Sequence, residues 1–301
     1  MPSVFWTGNL PILVRMMANA SNALAWITGN ARDVASMKHR IKLGYEGACS
    51  KDLTRYDELG LKHFTRIAQE LLAGVDVTGK RVLDVGCGTG ILSSQVLEHG
   101  AASLVCGDSS EYMLDQCRKK LVERGYEKRV ELQHLDAEAL PFGDRSFDAV
   151  VSGMVLGLVP DQQMAVREMV RVLGEGGVLA LSTHGPEHYR EAVEATFKAS
   201  SKRYVFGYRI EFWPRSEAEV HRMLAQTGLS DIQMRRTNWQ DSFEDGGEAF
   251  DFFAATSACF WYARIPPERR SEESIRLRDY FARHGVKRIT QDVILARGTR
   301  L

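Results

Sequence analysis

An aspartate and three glycines lie close together in the segment VLDVGCGTG, residues 82–90. These residues are Asp84, Gly86, Gly88 and Gly90. Glycines after a strand let the chain turn tightly and let a ligand approach the bare backbone, while the N-terminus of the next helix faces that ligand. The spacing is D-x-G-x-G-x-G, whereas a dinucleotide-binding loop would have its third glycine at residue 91, which is Ile91. The segment therefore predicts a small-molecule site, and the spacing argues against a dinucleotide.

A second group of reactive side chains lies in the segment THGPEHYRE, which contains His184, His188 and Tyr189. Histidine and tyrosine can take a proton from an acceptor atom, so His184 and Tyr189 are candidate catalytic residues. A loop histidine bonded to the backbone is the structural alternative for His184. The two histidines have the spacing of metal ligands on a helix, but the Gly-Pro pair between them disfavours a helix. The sequence therefore predicts no metal site here.

Strands must position these residues, because short β-branched runs stand directly before them. Such runs alternate with helical patterns from residue 81 onward. The predicted strands are 81–85, 103–107, 129–133, 147–152 and 177–183, and the predicted helices lie near 90–99, 110–124 and 161–173. This alternation predicts βαβ units and a parallel sheet with helices on both faces. Open sheets of this kind bind ligands beyond the carboxyl ends of their strands, where the glycine loop and His184 both lie.

The two ends of the chain depart from this alternation. Residues 1–75 form a predicted N-terminal helical extension or lid, with one helix over 51–72, and residues 76–183 form the predicted core. Residues 184–301 complete the sheet and contain an insert at about 243–288. The remaining predicted elements are a helix over 216–228 and strands over 229–239 and 290–298.

Aromatic residues are concentrated in the insert and in the run YVFGYRIEFW, residues 204–213. So many aromatic residues outside the sheet predict a cap over a substrate pocket. The apolar N-terminal segment predicts an amphipathic helix that covers a hydrophobic face of the protein. Weak contact with a membrane surface, or a homodimer formed through this helix or the cap, stays open.

The composition disfavours several classes of protein. Acidic and basic side chains number 39 each, so the net charge is zero, whereas a protein acting mainly on nucleic acid usually carries a basic excess. The five cysteines are scattered and lack C-x-x-C spacing, which favours buried thiols in a reducing compartment over disulfides or a zinc site. No apolar run reaches the roughly 18 residues of a membrane span, and the N-terminus lacks signal-peptide features. We therefore expect a cytoplasmic location.

Four successive segments resemble the class I S-adenosylmethionine (SAM) methyltransferases, and more narrowly the small-molecule branch that includes the ubiquinone and menaquinone biosynthesis enzymes. VLDVGCGTG is similar to the first motif of the family and VCGDSSEYML to the second. LDAEALPFGDRSFDAVVSG and REMVRVLGEGGVLAL are similar to the segments that lead into the fourth and fifth strands. The resemblance implies a Rossmann-like, seven-stranded, mostly parallel sheet whose last strand is antiparallel.

The same resemblance implies SAM as the methyl donor and S-adenosylhomocysteine as the product. It implies that Asp108 accepts hydrogen bonds from the ribose hydroxyls and that Asp84 lies near the ammonium group of the methionine half. A buried carboxylate without a partner would be costly, so a cationic ligand accounts for Asp84. The other residues assigned to the cofactor site are Gly86, Cys87, Gly88, Gly90, Ser109, Met113, Asp136, Ala137, Ser152 and Tyr45. Ordinary packing is the alternative for Met113 and Tyr45.

These observations predict methyl transfer from SAM to a carbon or oxygen of a hydrophobic small molecule. The segment Ser152-Gly153-Met154 differs from the Asn/Asp-Pro-Pro-aromatic motif of enzymes that methylate DNA bases, which argues against nucleic acid. Alignment of the acceptor with the carbon–sulfur bond supplies about 7–11 kcal/mol, so a general base is not obligatory. Two alternatives stay open: a SAM-binding partner protein without activity, and a methyltransferase acting on a peptide or protein side chain. The glycine spacing disfavours a third, a nicotinamide-dependent oxidoreductase.

Overall fold

The computed structural model describes residues 16, 20, 55–199, 216–262 and 267–301, and the following statements concern these residues. Tyr45, most of the predicted N-terminal extension and the aromatic run 204–213 lie outside the described residues. The helix predicted over 51–72 is described from Tyr56.

Seven strands alternate with helices along the described chain. The strands are β1 (Arg81–Val85), β2 (Ser103–Asp108), β3 (Val130–His134), β4 (Phe147–Gly153), β5 (Leu173–His184), β6 (Leu229–Ser242) and β7 (Arg288–Arg300). The helices are α1 (Tyr56–Leu72), α2 (Ile91–Glu98), α3 (Glu111–Glu123), α4 (Gln162–Val172), α5 (Arg190–Ala199), α6 (Glu217–Ala225), α7 (Gly246–Tyr262) and α8 (Pro267–Arg283).

The strands form one sheet in the order β3-β2-β1-β4-β5-β7-β6. Strands β1 to β5 pair in parallel, and β7 pairs antiparallel with β5, with Ser182 opposite Leu295. This topology confirms the predicted Rossmann-like sheet with an antiparallel last strand. The strand order reverses between β1 and β4, so the glycine loop after β1 lies at the point where such sheets bind ligands.

The apolar runs of the sequence form strands because both faces of the parallel sheet are covered. Leu83 of β1 lies beside Val150 of β4, and both side chains are fully buried. Phe147 and Met169 belong to the same hydrophobic cluster, which packs α4 against the sheet. Helix α4 begins where the Asp161 carboxylate accepts a hydrogen bond from a backbone N–H of its first turn.

Contacts within the chain divide it into two compact units. The first unit contains residues 61–184, 216–237 and 293–301, and the described part of the second contains 55–60, 185–199, 238–262 and 267–292. In the second unit, Phe250 and Phe253 of α7 make ring contacts with Phe281 of α8. The predicted insert is thus helical, and these phenylalanines form part of a core. Its role as a substrate cover stays a prediction.

None of the described helices is both long and apolar enough to cross a membrane.

Candidate cofactor site

The glycine loop connects β1 to α2 through three glycines with left-handed backbone. The φ angles of Gly86, Gly88 and Gly90 are +74°, +54° and +84°, a region that other residues adopt only with strain. A Cβ atom at Gly86 would lie 2.3 Å from a methyl group of Val155, whereas a Cβ at Gly88 would meet no atom within 4 Å. The alternating glycines are therefore required by the turn itself, and at Gly88 the backbone faces open space.

The loop is fixed to the neighbouring strand. The backbone N–H groups of Gly86 and Cys87 donate to the Gly107 carbonyl of β2 at 2.7 and 2.9 Å. Gly107 has no room for a side chain, because a Cβ there would lie 2.1 Å from Leu135. The ends of β1 and β2 and the turn after β3 are thus packed together at one edge of the sheet.

Asp84 lies fully buried in β1, beneath the glycine loop. Its Oδ2 accepts a hydrogen bond from the Ser93 hydroxyl at 2.6 Å, while its Oδ1 has no hydrogen-bond partner among the described residues. Burial raises the pKa of Asp84 to about 7, and the Ser93 bond opposes this shift. An acceptor atom buried beside an open glycine loop fits a cationic hydrogen-bond donor, as the predicted ammonium group would be.

Asp108 ends β2 and joins it to the glycine loop. Its Oδ2 accepts the Gly88 N–H and its Oδ1 accepts the Ser110 N–H, both at 2.9 Å. Burial raises the pKa of this carboxyl, and the backbone hydrogen bonds counteract the rise. Each carboxylate oxygen accepts more than one hydrogen bond, so Asp108 retains the capacity to bind a diol.

The remaining predicted cofactor residues follow the ends of the adjacent strands. Ser109 is exposed, and its carbonyl lies 3.0 Å from the His134 ring nitrogen Nε2. Met113 lies in α3 and is only 3% exposed, which agrees with either a core or an adenine-facing role. Asp136 and Ala137 are half-buried in the turn after β3. All the described residues assigned to the cofactor site from the sequence belong to the first unit.

The Ser152 hydroxyl is used within the sheet, because it donates to the Val85 carbonyl at 2.9 Å. Two residues later, Met154 has a left-handed backbone with φ +62°. Its N–H donates to the carbonyl and to the hydroxyl of Ser182, at 2.9 and 3.1 Å, and these bonds hold the strained turn. No local signal in the sequence marks this turn, because methionine is not a residue that favours positive φ.

Of the two predicted catalytic residues, His184 ends β5 and is buried in the first unit. Burial and the charge of His63 lower the pKa of His184 to about 3, so its ring is neutral at ordinary pH. His63 lies on α1 with 4% exposure. Sequence reasoning missed His63 because 121 residues separate it from its partner, and it missed Ser93 because nothing local marks a serine that binds Asp84.

Tyr189, the other predicted catalytic residue, belongs to the second unit. Its φ is +56°, its ring meets Phe252 and Phe253 edge to face, and its hydroxyl donates to Thr256 Oγ1 at 2.9 Å. The preceding His188 has its Nδ1 within 2.9 Å of the backbone carbonyl of Asp292. Among the described residues, no group of three or more histidine, cysteine, aspartate or glutamate side chains is arranged so that it could hold a metal ion.

Comparison with known proteins gives a family model described as "Methyltransferase domain", which matches residues 83–181. Over 113 residues the chain is 42% identical to the phosphatidylethanolamine N-methyltransferase of Cereibacter sphaeroides, covering 37% of this chain and 54% of that protein. Over 174 residues it is 33% identical to the demethylmenaquinone methyltransferase of Clavibacter sepedonicus, covering 53% of this chain and 69% of that protein. The chain spans about half the length of the first two curated relatives it matches, 54% and 47%.

Among solved structures, the chain is similar to a phosphoethanolamine N-methyltransferase of Haemonchus contortus in complex with phosphomonomethylethanolamine and S-adenosylhomocysteine. The TM-score is 0.54 at 16% identity, and the match covers 82% of this chain and 56% of that chain. At this identity the likeness shows a common fold.

Proposed function

Because this chain belongs to the class I SAM-dependent methyltransferases, we propose that it transfers the methyl group of SAM to a carbon or oxygen atom of a hydrophobic small molecule. The observation that carries the proposal is the glycine loop with its buried carboxylate. Gly88 leaves the loop backbone open to a ligand, and Asp84 Oδ1 has no hydrogen-bond partner among the described residues. Together they fit a ligand with a cationic amino-acid head.

The chain's own residues would bind each part of the cofactor. Asp84 would accept a hydrogen bond from the ammonium group, and Asp108 would accept the ribose hydroxyls while it keeps its bond to the Gly88 N–H. Since a nearby cation favours the ionised carboxylate, binding would lower the pKa of Asp84 from about 7. When bound, SAM supplies a methyl group that its sulfonium sulfur already activates.

We place the acceptor beyond the carboxyl ends of β4 and β5. Met154 and Val155, which follow β4, are apolar and buried, so they favour a neutral, hydrophobic acceptor over a charged one. His184 ends β5 with a neutral ring that can accept a proton from the acceptor, although the burial that keeps it neutral also makes it a weak base. The Tyr189 hydroxyl donates a hydrogen bond to Thr256, which disfavours a role for it as a base.

Calorimetric titration with SAM and S-adenosylhomocysteine tests the cofactor. We expect a micromolar Kd for the wild type, which corresponds to about −8 kcal/mol. Asp108→Ala should weaken binding about tenfold or more, because it removes a charged acceptor worth about 1.5–3 kcal/mol. Asp115→Ala, on the exposed face of α3, is the control and should bind like the wild type. A wild type that binds neither compound refutes the proposal.

Release of S-adenosylhomocysteine in the presence of different acceptors tests the activity. Organic-solvent extracts of metabolites should support release, whereas peptides and DNA should not. Release only with peptides would assign a side-chain acceptor, and binding without release under any condition would assign a SAM-binding protein that is not a transferase.

A further inference from the structure

Three cysteine side chains from three different elements meet behind the glycine loop. Cys87 lies in the loop itself, Cys106 in β2 and Cys117 in α3. All three are free and buried, and their thiol groups interact directly with one another. Methyl transfer as proposed above needs no thiol. We call these three residues the thiol cluster.

The thiol cluster is connected to the buried carboxylate of the cofactor site. The Cys106 thiol donates to the Ser93 hydroxyl at 3.3 Å, and that hydroxyl donates to Asp84 Oδ2 at 2.6 Å. The cluster also touches the loop backbone, because a Cβ atom at Gly90 would lie 2.8 Å from Cys117 Sγ. A covalent change among the three sulfurs would therefore move the loop and disturb the hydrogen bond to Asp84.

The surroundings favour one thiolate within the cluster. Hydrogen bonds from the thiols of Cys106 and Cys87 lower the pKa of Cys117, and the positive charge of Lys120, one helical turn further on, lowers it as well. The interaction with Cys106 raises the pKa of the Cys87 thiol in turn. A thiolate with a second thiol beside it is the arrangement in which oxidation leads to a disulfide.

We propose that the thiol cluster is an oxidation site at which a Cys87–Cys117 disulfide closes the cofactor site. The Cys117 thiolate attacks one oxygen of hydrogen peroxide, and the O–O bond breaks. The attacked oxygen stays on the sulfur, so that Cys117 becomes a sulfenic acid, and the other oxygen leaves as hydroxide. The Cys87 thiol then attacks that sulfur, the disulfide forms, and water is released. The two thiols lose two electrons, which reduce the peroxide. A small oxidant reaches the cluster beside Cys87, the member of the three that retains 6% exposure.

The disulfide would be incompatible with cofactor binding, because a sulfur–sulfur bond of about 2.05 Å ties the loop residue Cys87 to α3. The loop backbone on either side of Cys87 belongs to Gly86 and Gly88, which the proposed function places against the methionine half. This inference rests on that function. Bound S-adenosylhomocysteine should accordingly slow the oxidation.

The experiment uses the full chain, treated with hydrogen peroxide in molar excess and then analysed by peptide mass spectrometry and by calorimetric titration with S-adenosylhomocysteine. We expect a peptide pair linked through Cys87 and Cys117, binding weakened more than tenfold, and recovery of binding with dithiothreitol. Prior saturation with S-adenosylhomocysteine should reduce the yield of the linked pair.

Variants separate this site from the other two cysteines. Cys117→Ser should bind S-adenosylhomocysteine when reduced and keep that affinity after peroxide, and Cys117→Ala serves the same purpose if the serine variant does not fold. A variant with Cys49→Ser and Cys259→Ser keeps only the thiol cluster and should remain as sensitive as the wild type.

Two results would overturn the inference: no linked peptide pair after peroxide treatment, or the same loss of binding in Cys117→Ser as in the wild type. Failure of the proposed function looks different, because the reduced wild type would then bind neither SAM nor S-adenosylhomocysteine. In that case peptide mass spectrometry would still show whether the disulfide forms. The proposed effect of the disulfide on cofactor binding would then be refuted together with the proposed function.

Discussion

Replacing Asp84 by asparagine should change how the stability of the cofactor-free protein depends on pH. The Asp84 side chain is fully buried, and its ordinary pKa of 3.8 is raised to about 7 by that burial. Between these two values the folded chain holds a proton that the unfolded chain has lost. The free energy of unfolding therefore falls as the pH rises from about 4 to about 7, by up to about 1.4 kcal/mol per pH unit from this group.

The size of the effect follows from the two pKa values. From about pH 5 to about pH 8, the contribution of Asp84 lowers the free energy of unfolding by about 2.5 kcal/mol, and above about pH 8 it changes no further. Asparagine has nearly the same shape and does not titrate, and its amide oxygen can still accept the Ser93 hydroxyl. Whatever asparagine costs in packing or hydrogen bonding is the same at both pH values.

Urea unfolding at about pH 5 and about pH 8 measures this difference directly. The quantity compared is the free energy of unfolding of Asp84→Asn minus that of the wild type. This difference should be about 2.5 kcal/mol larger at about pH 8 than at about pH 5. Asp115→Asn, which changes an exposed aspartate of α3, is the control and should show nearly the same difference from wild type at both pH values.

Equal differences at the two pH values would refute the reasoning. They would show that Asp84 is ionised in the cofactor-free protein at neutral pH, so that its buried oxygen does not require a cationic ligand.

The release of protons on binding tests the same pKa. Near pH 6, S-adenosylhomocysteine should displace about one proton from the wild type and none from Asp84→Asn. Calorimetry in buffers of different ionisation heat measures the number of protons released.

Two further predictions concern the loop and the acceptor side. Gly86→Ala should destabilise the protein by about 1–3 kcal/mol more than Gly79→Ala. Both glycines have a positive φ, +74° and +70°, so the backbone strain is similar. Only at Gly86 would the new methyl group lie within 2.3 Å of a neighbouring side chain. Equal shifts in thermal unfolding would contradict this. His184→Gln should lower kcat by about two to four powers of ten and leave the Kd for SAM unchanged. At saturating SAM the wild-type kcat should not fall as the pH drops through 6.5, because the pKa of His184 lies at about 3. A loss of activity centred near pH 6.5 that disappears in His184→Gln would show that the ring titrates normally.

The sequence by itself determined the parallel part of the sheet and the position of the glycine loop. Residues 81–85 and 147–153 form adjacent strands because β-branched and apolar runs of that length suit a sheet covered on both faces. The glycine spacing was equally informative, since each of the three glycines has the positive φ that its residue type permits. The antiparallel final strand followed from family resemblance and not from local pattern, because an apolar run does not encode its own direction.

Only the tertiary structure determined which reactive side chains contact one another. The sequence shows cysteines at 87, 106 and 117 as scattered residues, yet a loop, a strand and a helix bring their thiols together. In the same way Ser93 reaches Asp84, and His63 comes close enough to His184 to lower its pKa. Local patterns specify periodicity and turns, which depend on near neighbours along the chain. Contacts between distant side chains depend on how strands are ordered and how helices pack on them, so they exist only once the sheet has formed.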